Sequence, residues 1–234
     1  KGTYQDTPPP PFTPGLEVAG EVIACGSQVQ GLVCGDRVAV FSGQGGLAQE
    51  GVFDAGRVVP IPDSMSFEDA AALQIAYGTS LVALDHCARL QPGETLLVTG
   101  AAGGVGLTAV EIGKLMGARV IAYARGAGKL EVARKAGADH LIDADADLRA
   151  EVKALGGADV VYDAVGGDGF KAAMRATNPG GRLLVIGFAS GDVPQIPANI
   201  ILVKNISVIG FYWGGYLTFN PEALIASMGD LFAM

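Results

Sequence analysis

Hydrophobic and polar positions follow two different patterns along the chain, and the change falls near Thr79. Before it, short apolar stretches are separated by Gly-rich turns, at 17–25, 37–41 and 57–61. Such spacing is typical of a small β barrel or sandwich. Ser66, with Asp69 three residues later, has the spacing of a helix N-cap and predicts a helix over 67–73.

Strand and helix patterns alternate in the rest of the chain. Apolar runs predict strands over 95–99, 119–124, 140–142, 158–162, 182–186 and 207–211. Between them, helical i, i+3, i+4 apolar spacing occurs over 105–116, 129–136, 148–155 and 170–176. Because the order strand, helix, strand implies right-handed crossovers, we predict an α/β fold with a doubly wound parallel sheet.

The composition narrows the class of protein. Half the residues are hydrophobic and 17% are charged, which excludes a disordered chain. Sixteen Lys and Arg against 24 Asp and Glu give a net charge of −8, which argues against nucleic acid as a partner. No apolar run has the pattern of a membrane span or a signal peptide, so we expect a cytoplasmic protein without a membrane partner. The three cysteines lack metal-site spacing and are expected to be reduced, buried thiols.

The strongest chemical signal is the segment LLVTGAAGGVG at 96–106. Ala101, Gly103 and Gly106 fill the three small positions of a dinucleotide-binding fingerprint. Gly103 would let a pyrophosphate approach the backbone, and Gly106 would let the following helix pack on the sheet. Since the motif lies between a predicted strand and a predicted helix, we interpret it as a dinucleotide site. The alternative is a Gly-rich turn without a ligand.

The charges after the fingerprint bear on which dinucleotide would bind. An NAD site has a carboxylate about 20 residues on for the ribose 2′-hydroxyl, but no Asp or Glu occurs between Glu111 and Glu131. Arg125 can bind a 2′-phosphate through two parallel hydrogen bonds, and Lys129 can add a further positive charge. This pattern predicts NADPH as the cofactor. The alternative is that these side chains are solvated surface bases.

Several short motifs together indicate a family: PGLEVAG at 14–20, GDRV at 35–38, AYGTS at 76–80, GAAGGVG at 100–106, AGA at 136–138 and VYDAVGG at 161–167. With these motifs in this order, the chain resembles zeta-crystallin-type quinone oxidoreductases, a zinc-independent branch of the medium-chain dehydrogenase/reductase superfamily. The resemblance implies a partial GroES-like, β-rich catalytic domain over 1–77 and a Rossmann cofactor domain over 78–217. It implies that 218–234 begins a return to the catalytic domain. Family members extend beyond both ends, so we expect the chain to be a fragment.

The resemblance also implies a set of cofactor contacts, most of them at strand ends. It places Thr79 beside the nicotinamide, Val165 and Gly166 near the adenosine, and Arg125 and Lys129 at the 2′-phosphate. The remaining implied contacts are Ala102, Gly103, Gly104 and Val105 at the pyrophosphate, Gly187, Phe188 and Ala189 at the nicotinamide ribose, and Phe211, Tyr212 and Trp213 behind the nicotinamide ring. A Tyr or His that the family has near the 2′-phosphate is Ala144 here.

The residues at the family's zinc positions predict that no metal is bound. Zinc-dependent members have Gly-His-Glu where this chain has Gly15-Leu16-Glu17, and no Cys occurs near Ile75. Without a Lewis acid, the expected reaction is hydride transfer from NADPH to a quinone or an α,β-unsaturated carbonyl. Tyr4 matches a tyrosine of related enoyl-thioester reductases and is the implied catalytic residue, as a proton donor. The alternative is that Tyr4 only packs at the mouth of the site.

Other functions stay open at this point. The chain could be an enoyl-thioester reductase, or an NADPH-binding sensor or crystallin-like protein without turnover. A zinc alcohol dehydrogenase would need a bound metal. In the family, edge strands pair between subunits, so we expect a homodimer through the sheet edge near 200–211 and a small-molecule substrate.

Overall fold

The computed structural model describes residues 8–233, and the chain divides into two compact units. The first unit contains the described residues up to Ile75 and those from Leu224 onward, and the second contains Ala76–Ala223. The domain boundaries expected from the sequence, at 77/78 and 217/218, remain predictions.

The first unit is built on a three-stranded antiparallel sheet with strands in the order β1-β2-β3. The strands are β1 (Glu17–Glu21), β2 (Arg37–Phe41) and β3 (Val58–Pro60). Ala39 and Ala70 are fully buried at its centre together with Ile61. Glu17 lies beside this core, where burial raises the pKa of its carboxyl group and the Ile75 amide donates to Oε2 over 2.9 Å. The predicted short strands are therefore present.

The first helix begins where the sequence predicts. The helix is α1 (Phe67–Leu81), and the Ser66 hydroxyl accepts from the Asp69 amide at 3.0 Å and donates to Asp69 Oδ2 at 2.7 Å. It runs well past the predicted end at residue 73, through Gly78, and continues as a π-helical turn over Val82–Cys87. A Cβ at Gly78 would lie 2.8 Å from Trp213 Nε1. This glycine makes room for an indole instead of ending the helix.

The second unit contains a six-stranded sheet whose neighbouring strands all pair in parallel. Its order is β6-β5-β4-β7-β8-β9, with β4 (Thr95–Thr99), β5 (Arg119–Ala124), β6 (His140–Asp143), β7 (Ala158–Asp163), β8 (Thr177–Val185) and β9 (Ser207–Gly210). The predicted doubly wound parallel sheet is confirmed. The strand order reverses between β4 and β7, which is where such sheets bind ligands.

The helices that follow α1 are α2 (Gly104–Leu115), α3 (Ala127–Lys135), α4 (Leu148–Ala154), α5 (Gly167–Ala176), α6 (Ala198–Lys204), α7 (Tyr216–Phe219) and α8 (Pro221–Ala233). Both α3 and α5 begin earlier than predicted, because Gly126 and Gly166 occupy their N-caps with φ of 84° and 75°. Helix α6 was not predicted, since its run of Ile, Leu and Val resembles a strand. None of the described helices is long and apolar enough to cross a bilayer.

A buried apolar core covers one face of the large sheet. Leu97, Ile121, Val161 and Leu183, from four neighbouring strands, are fully buried and pack with Phe170 of α5. Each such side chain contributes about 1.5–3 kcal/mol by leaving water. All five residues of β4 are buried, as expected for a central parallel strand covered on both faces. This core holds the carboxyl ends of β4 and β7 in place.

The expectation of buried thiols was wrong for two of the three cysteines. Cys25 and Cys34 are exposed, and their sulfurs lie 3.6 Å and 3.4 Å from the carbonyl oxygens of Leu32 and Ile23. They lie in the connection between β1 and β2, where the small sheet has little buried space for a side chain. Cys87 is partly buried, with its sulfur 3.1 Å from the Tyr216 hydroxyl.

Candidate functional site

The fingerprint forms a tight turn between β4 and α2. Gly100 has φ of +65°, and the Gly103 amide donates to the Gly100 carbonyl at 2.8 Å. Gly103 is the N-cap of α2, and no side chain caps that helix end. Gly103 and Gly104 are exposed, while Ala102 and Val105 are half-buried. The first amides of α2, which lack partners within the helix, are therefore open to an anion.

The glycines of this turn differ in how much space surrounds them. A Cβ at Gly106 would overlap the carbonyl oxygen of Gly100, and one at Gly103 would lie 3.3 Å from the same oxygen. At Gly104 nothing lies within 4 Å. Gly106 is thus required for the close approach of α2 to the strand end, as the fingerprint predicts. The tight turn itself depends on Gly100, which was not among the small positions of the predicted fingerprint. The first of those positions was assigned to Ala101, which is buried.

A buried carboxylate joins the two strands at the point where the sheet order reverses. Asp163 ends β7 and is fully buried; it accepts from Thr99 Oγ1 at 2.5 Å and from the Gly166 amide at 2.8 Å. Burial raises the pKa of this carboxyl group, and its hydrogen bonds to Thr99, Gly166 and Val165 act in the opposite direction. The carboxylate fixes the β7–α5 turn, in which Val165 and Gly166 were the predicted adenosine contacts.

A second buried polar cluster, also missed in the sequence, supports the first turn of α2. The Ser80 hydroxyl donates to the Val105 carbonyl at 3.0 Å, and it lies 2.8 Å from Thr108 Oγ1 and 3.1 Å from the Tyr162 hydroxyl. Burial raises the pKa of Tyr162 well above its usual range. Because every hydroxyl in the cluster has a partner, it links α1, α2 and β7 without leaving a buried polar group unsatisfied.

The loop after β8 lies along the β7–α5 turn. The Ala189 amide donates to the Ala164 carbonyl at 3.2 Å, and the Gly187 amide donates to the Asp163 carbonyl at 3.3 Å. A Cβ at Gly166 would lie 3.3 Å from Phe188 Cδ1. The structure thus brings the predicted contacts Gly187, Phe188 and Ala189 against Val165 and Gly166.

The predicted nicotinamide segment follows β9. Phe211 and Trp213 are buried, and Tyr212 is 43% exposed. Trp213 packs against Gly78, and the next residue, Thr79, is 6% exposed. Trp213 and the Thr79 segment of α1 are therefore neighbours. Tyr4 lies outside the described residues.

The part of the site predicted to hold a 2′-phosphate has two positively charged side chains. Arg125 and Lys129 are exposed, and neither forms an ion pair with any residue between 8 and 233. Asp143, at the end of β6, accepts from the Gly126 amide at 3.1 Å through Oδ2. This carboxylate comes from the neighbouring strand and lies outside the stretch between Glu111 and Glu131, so the sequence did not predict it. The register of β5 and β6 is the signal that finds it.

The described residues contain an open cleft but no cluster of metal ligands. No group of three or more His, Cys, Asp or Glu side chains within the described part of the chain is arranged to hold a metal ion. The first unit has an open cleft of about 680 Å³, whose lining includes Phe12, Ser42, Gln44, Phe53 and Arg57. Ser42, Gln44 and Gly45 of this lining belong to the loop that follows β2.

Known protein families match both parts of the chain. The alcohol dehydrogenase GroES-like domain matches residues 1–63, and the zinc-binding dehydrogenase family matches residues 104–228. The chain therefore belongs to the zinc-binding dehydrogenase family, in the medium-chain dehydrogenase/reductase superfamily, and the resemblance found in its motifs is confirmed.

Curated relatives carry the name that the motifs suggested. A quinone oxidoreductase-like protein 2 homolog of Nematostella vectensis is 46% identical over 97% of this chain and 64% of its own length. The mouse quinone oxidoreductase-like protein 2 is 42% identical over 92% of this chain and 63% of its own length. The chain spans slightly less than two thirds of these relatives.

Solved structures share the fold. Escherichia coli quinone oxidoreductase complexed with NADPH aligns with a TM-score of 0.88 and 32% identity, covering 97% of this chain and 72% of that one. The CurK enoyl reductase aligns with a TM-score of 0.85 and 28% identity, covering 95% of this chain and 67% of that one.

The glycine geometry gives a matched pair of substitutions. We expect Gly106→Ala to lower the free energy of unfolding by about 1–3 kcal/mol, because the added methyl group overlaps a carbonyl oxygen and outweighs the better helix propensity of Ala. Gly104→Ala meets nothing within 4 Å and should leave stability within about 1 kcal/mol of the parent. Chemical denaturation followed by circular dichroism measures both. Equal stabilities of the two variants would contradict the close-approach argument.

Proposed function

We propose that this protein is an NADPH-dependent reductase that transfers a hydride to a quinone or an α,β-unsaturated carbonyl without zinc. The observation that carries the proposal is the pair of exposed cations, Arg125 and Lys129, on the neighbouring strand end and helix beside an open Gly-rich turn. The NADPH complex of the related E. coli quinone oxidoreductase supports it.

The described residues fit such a cofactor. The exposed backbone at Gly103 and Gly104 leaves room for a pyrophosphate, which the first amides of α2 would hold. Arg125 and Lys129 would hold the 2′-phosphate, and Val165 and Gly166 would border the adenosine. Thr79, with the segments 187–189 and 211–213, would border the nicotinamide end.

The cofactor supplies the hydride, and the residues of this chain supply position and a dry surface. A quinone or an enone needs little polarisation to accept a hydride, which agrees with a sequence that lacks the family's zinc-ligand pattern at 15–17. A proton must still reach the reduced product. We assign this role to Tyr4, whose phenol would hydrogen-bond the acceptor carbonyl.

One observation favours a second candidate within the same chemistry. The similarity to the CurK enoyl reductase makes an enoyl thioester an alternative acceptor. Both acceptors are conjugated carbonyl compounds, so the same cofactor site serves either reaction.

An assay of NADPH oxidation against 1,4-benzoquinone, 9,10-phenanthrenequinone, simple enones and a crotonyl thioester tests the reaction. We expect turnover with at least one quinone or enone, and the loss of NADPH absorbance measures it. Tyr4→Phe should slow enone reduction without weakening NADPH binding, and unchanged turnover would remove Tyr4 from the mechanism. NADPH binding without oxidation by any acceptor would instead indicate a sensor or a structural protein.

Arg125→Ala tests the cofactor assignment. Losing a charged hydrogen-bonding group should lower kcat/KM for NADPH by about 10- to 100-fold and leave the value for NADH within about twofold. Arg149→Ala, an exposed arginine of α4, is the control and should change neither value. If Arg125→Ala affected NADPH and NADH equally, the 2′-phosphate assignment would be wrong.

We also propose that the protein forms a homodimer through the edge of its large sheet. Leu202 and Val203 are 76% and 74% exposed on α6, the helix that precedes the edge strand β9, and association would cover this apolar surface. Leu202→Glu with Val203→Glu should convert a dimer to a monomer in light scattering. Leu115→Glu, at a position that is 70% exposed on α2, is the control and should leave the dimer intact.

A further inference from the structure

The carboxylate of Asp143 lies at the end of β6, next to the end of β5, where the sequence predicts the cofactor ribose. In the β5–β6 register Asp143 is opposite Ala124, the residue before Arg125, and the Ala144 amide donates to the Ala124 carbonyl at 3.0 Å. Its Oδ2 accepts from the Gly126 amide at 3.1 Å, and its Oδ1 accepts from the Asp145 amide at 3.1 Å. The side chain is therefore fixed against the residue that follows Arg125.

The charges at this strand end lie close enough to act on the Tyr123 phenol. Burial raises the pKa of the Tyr123 phenol, the Arg125 charge acts against this rise, and the Asp143 and Asp145 carboxylates add to it. The Tyr123 hydroxyl donates to the Ala144 carbonyl at 3.2 Å, which places the ring across the ends of β5 and β6. Because the Asp143 carboxylate is hydrogen-bonded to the residue after Arg125, a phosphate bound at Arg125 would meet negative as well as positive charge.

We propose that Asp143 is a specificity-determining residue that weakens the preference for NADPH over NADH. The inference rests on the proposed function, because it concerns the same cofactor site. An NAD site needs a carboxylate that accepts from the ribose 2′-hydroxyl, usually at the end of the second strand of the fold. Here that strand, β5, ends without an acidic residue. The carboxylate beside the end of β5 comes instead from the third strand, β6.

The chemistry of the carboxylate permits this role in addition to its backbone contacts. A carboxylate has about four acceptor positions, and the two main-chain amides occupy two of them. A 2′-hydroxyl can use a remaining position, whereas a 2′-phosphate brings negative charge to the same place and is repelled. Asp143 thus favours the dinucleotide without the phosphate, and Arg125 and Lys129 favour the one that has it.

Dissociation constants of NADPH and NADH, measured by isothermal titration calorimetry, test the proposal independently of turnover. Asp143→Asn removes the charge and keeps one acceptor, so it should raise the ratio of the NADH to the NADPH dissociation constant by about tenfold, equivalent to about 1.4 kcal/mol. Tighter NADPH binding and weaker NADH binding should both contribute. Asp143→Ser, whose hydroxyl can also accept a backbone hydrogen bond, should shift the ratio in the same direction.

Asp147→Asn is the matched control, since it removes the same charge from the same loop. Asp147 caps α4 by accepting from the Ala150 amide at 3.1 Å, and Asn caps a helix equally well. The ratio should stay within about twofold of the parent.

The outcomes separate this inference from the proposed function. If the parent protein binds neither dinucleotide, the proposed function fails and the inference fails with it. If it binds NADPH but both Asp143 variants leave the ratio unchanged, Asp143 only fixes the turn and this inference alone is wrong. If neither variant folds cooperatively while Asp147→Asn does, Asp143 is a structural anchor, and the specificity role is likewise overturned.

Discussion

The candidate site depends on the close approach of α2 to the end of β4. Gly106 meets the carbonyl of Gly100 so closely that no side chain fits between them. This contact places the first turn of α2 directly over the point where the strand order reverses. The helix end carries partial positive charge, and the sheet leaves a crevice at the same place. One steric constraint therefore joins an anion-binding helix end to the ligand-binding edge of the sheet.

Buried polar groups then hold this arrangement rigid. Asp163 joins β7 to β4 through Thr99, and Ser80 joins α1 to the first turn of α2 at Val105. Each of these groups would be costly to bury alone, and each is compensated by hydrogen bonds that work only in one geometry. Such clusters fix the positions of the strand and helix ends more than they add to the free energy of unfolding. They explain how flexible glycines can line a site whose backbone must stay in place.

Local sequence patterns predicted the parts of the fold that depend on local chemistry. The strands and the Gly106 contact follow from apolar runs and from the fingerprint, which are properties of neighbouring residues. The length of α1 and the presence of α6 depend on tertiary packing, since Gly78 accommodates a distant indole and α6 has the composition of a strand. The carboxylate of Asp143 was missed because its position follows from pairing between strands, which no linear search shows.

The turn before α3 places a charged side chain beside Arg125 for a structural reason. Gly126 is the N-cap of α3 and has no side chain to cap the helix, and its own amide needs an acceptor from elsewhere. Asp143 supplies it across the sheet, because the end of β6 is directly beside this turn. Any acceptor there lies next to Arg125, so in the proposed cofactor site the group that stabilises the turn would also set the charge that a bound ribose meets. A neutral acceptor would hold the same turn with less effect on charge. In the proposed site, one side chain would therefore link the stability of this turn to the preference for one cofactor.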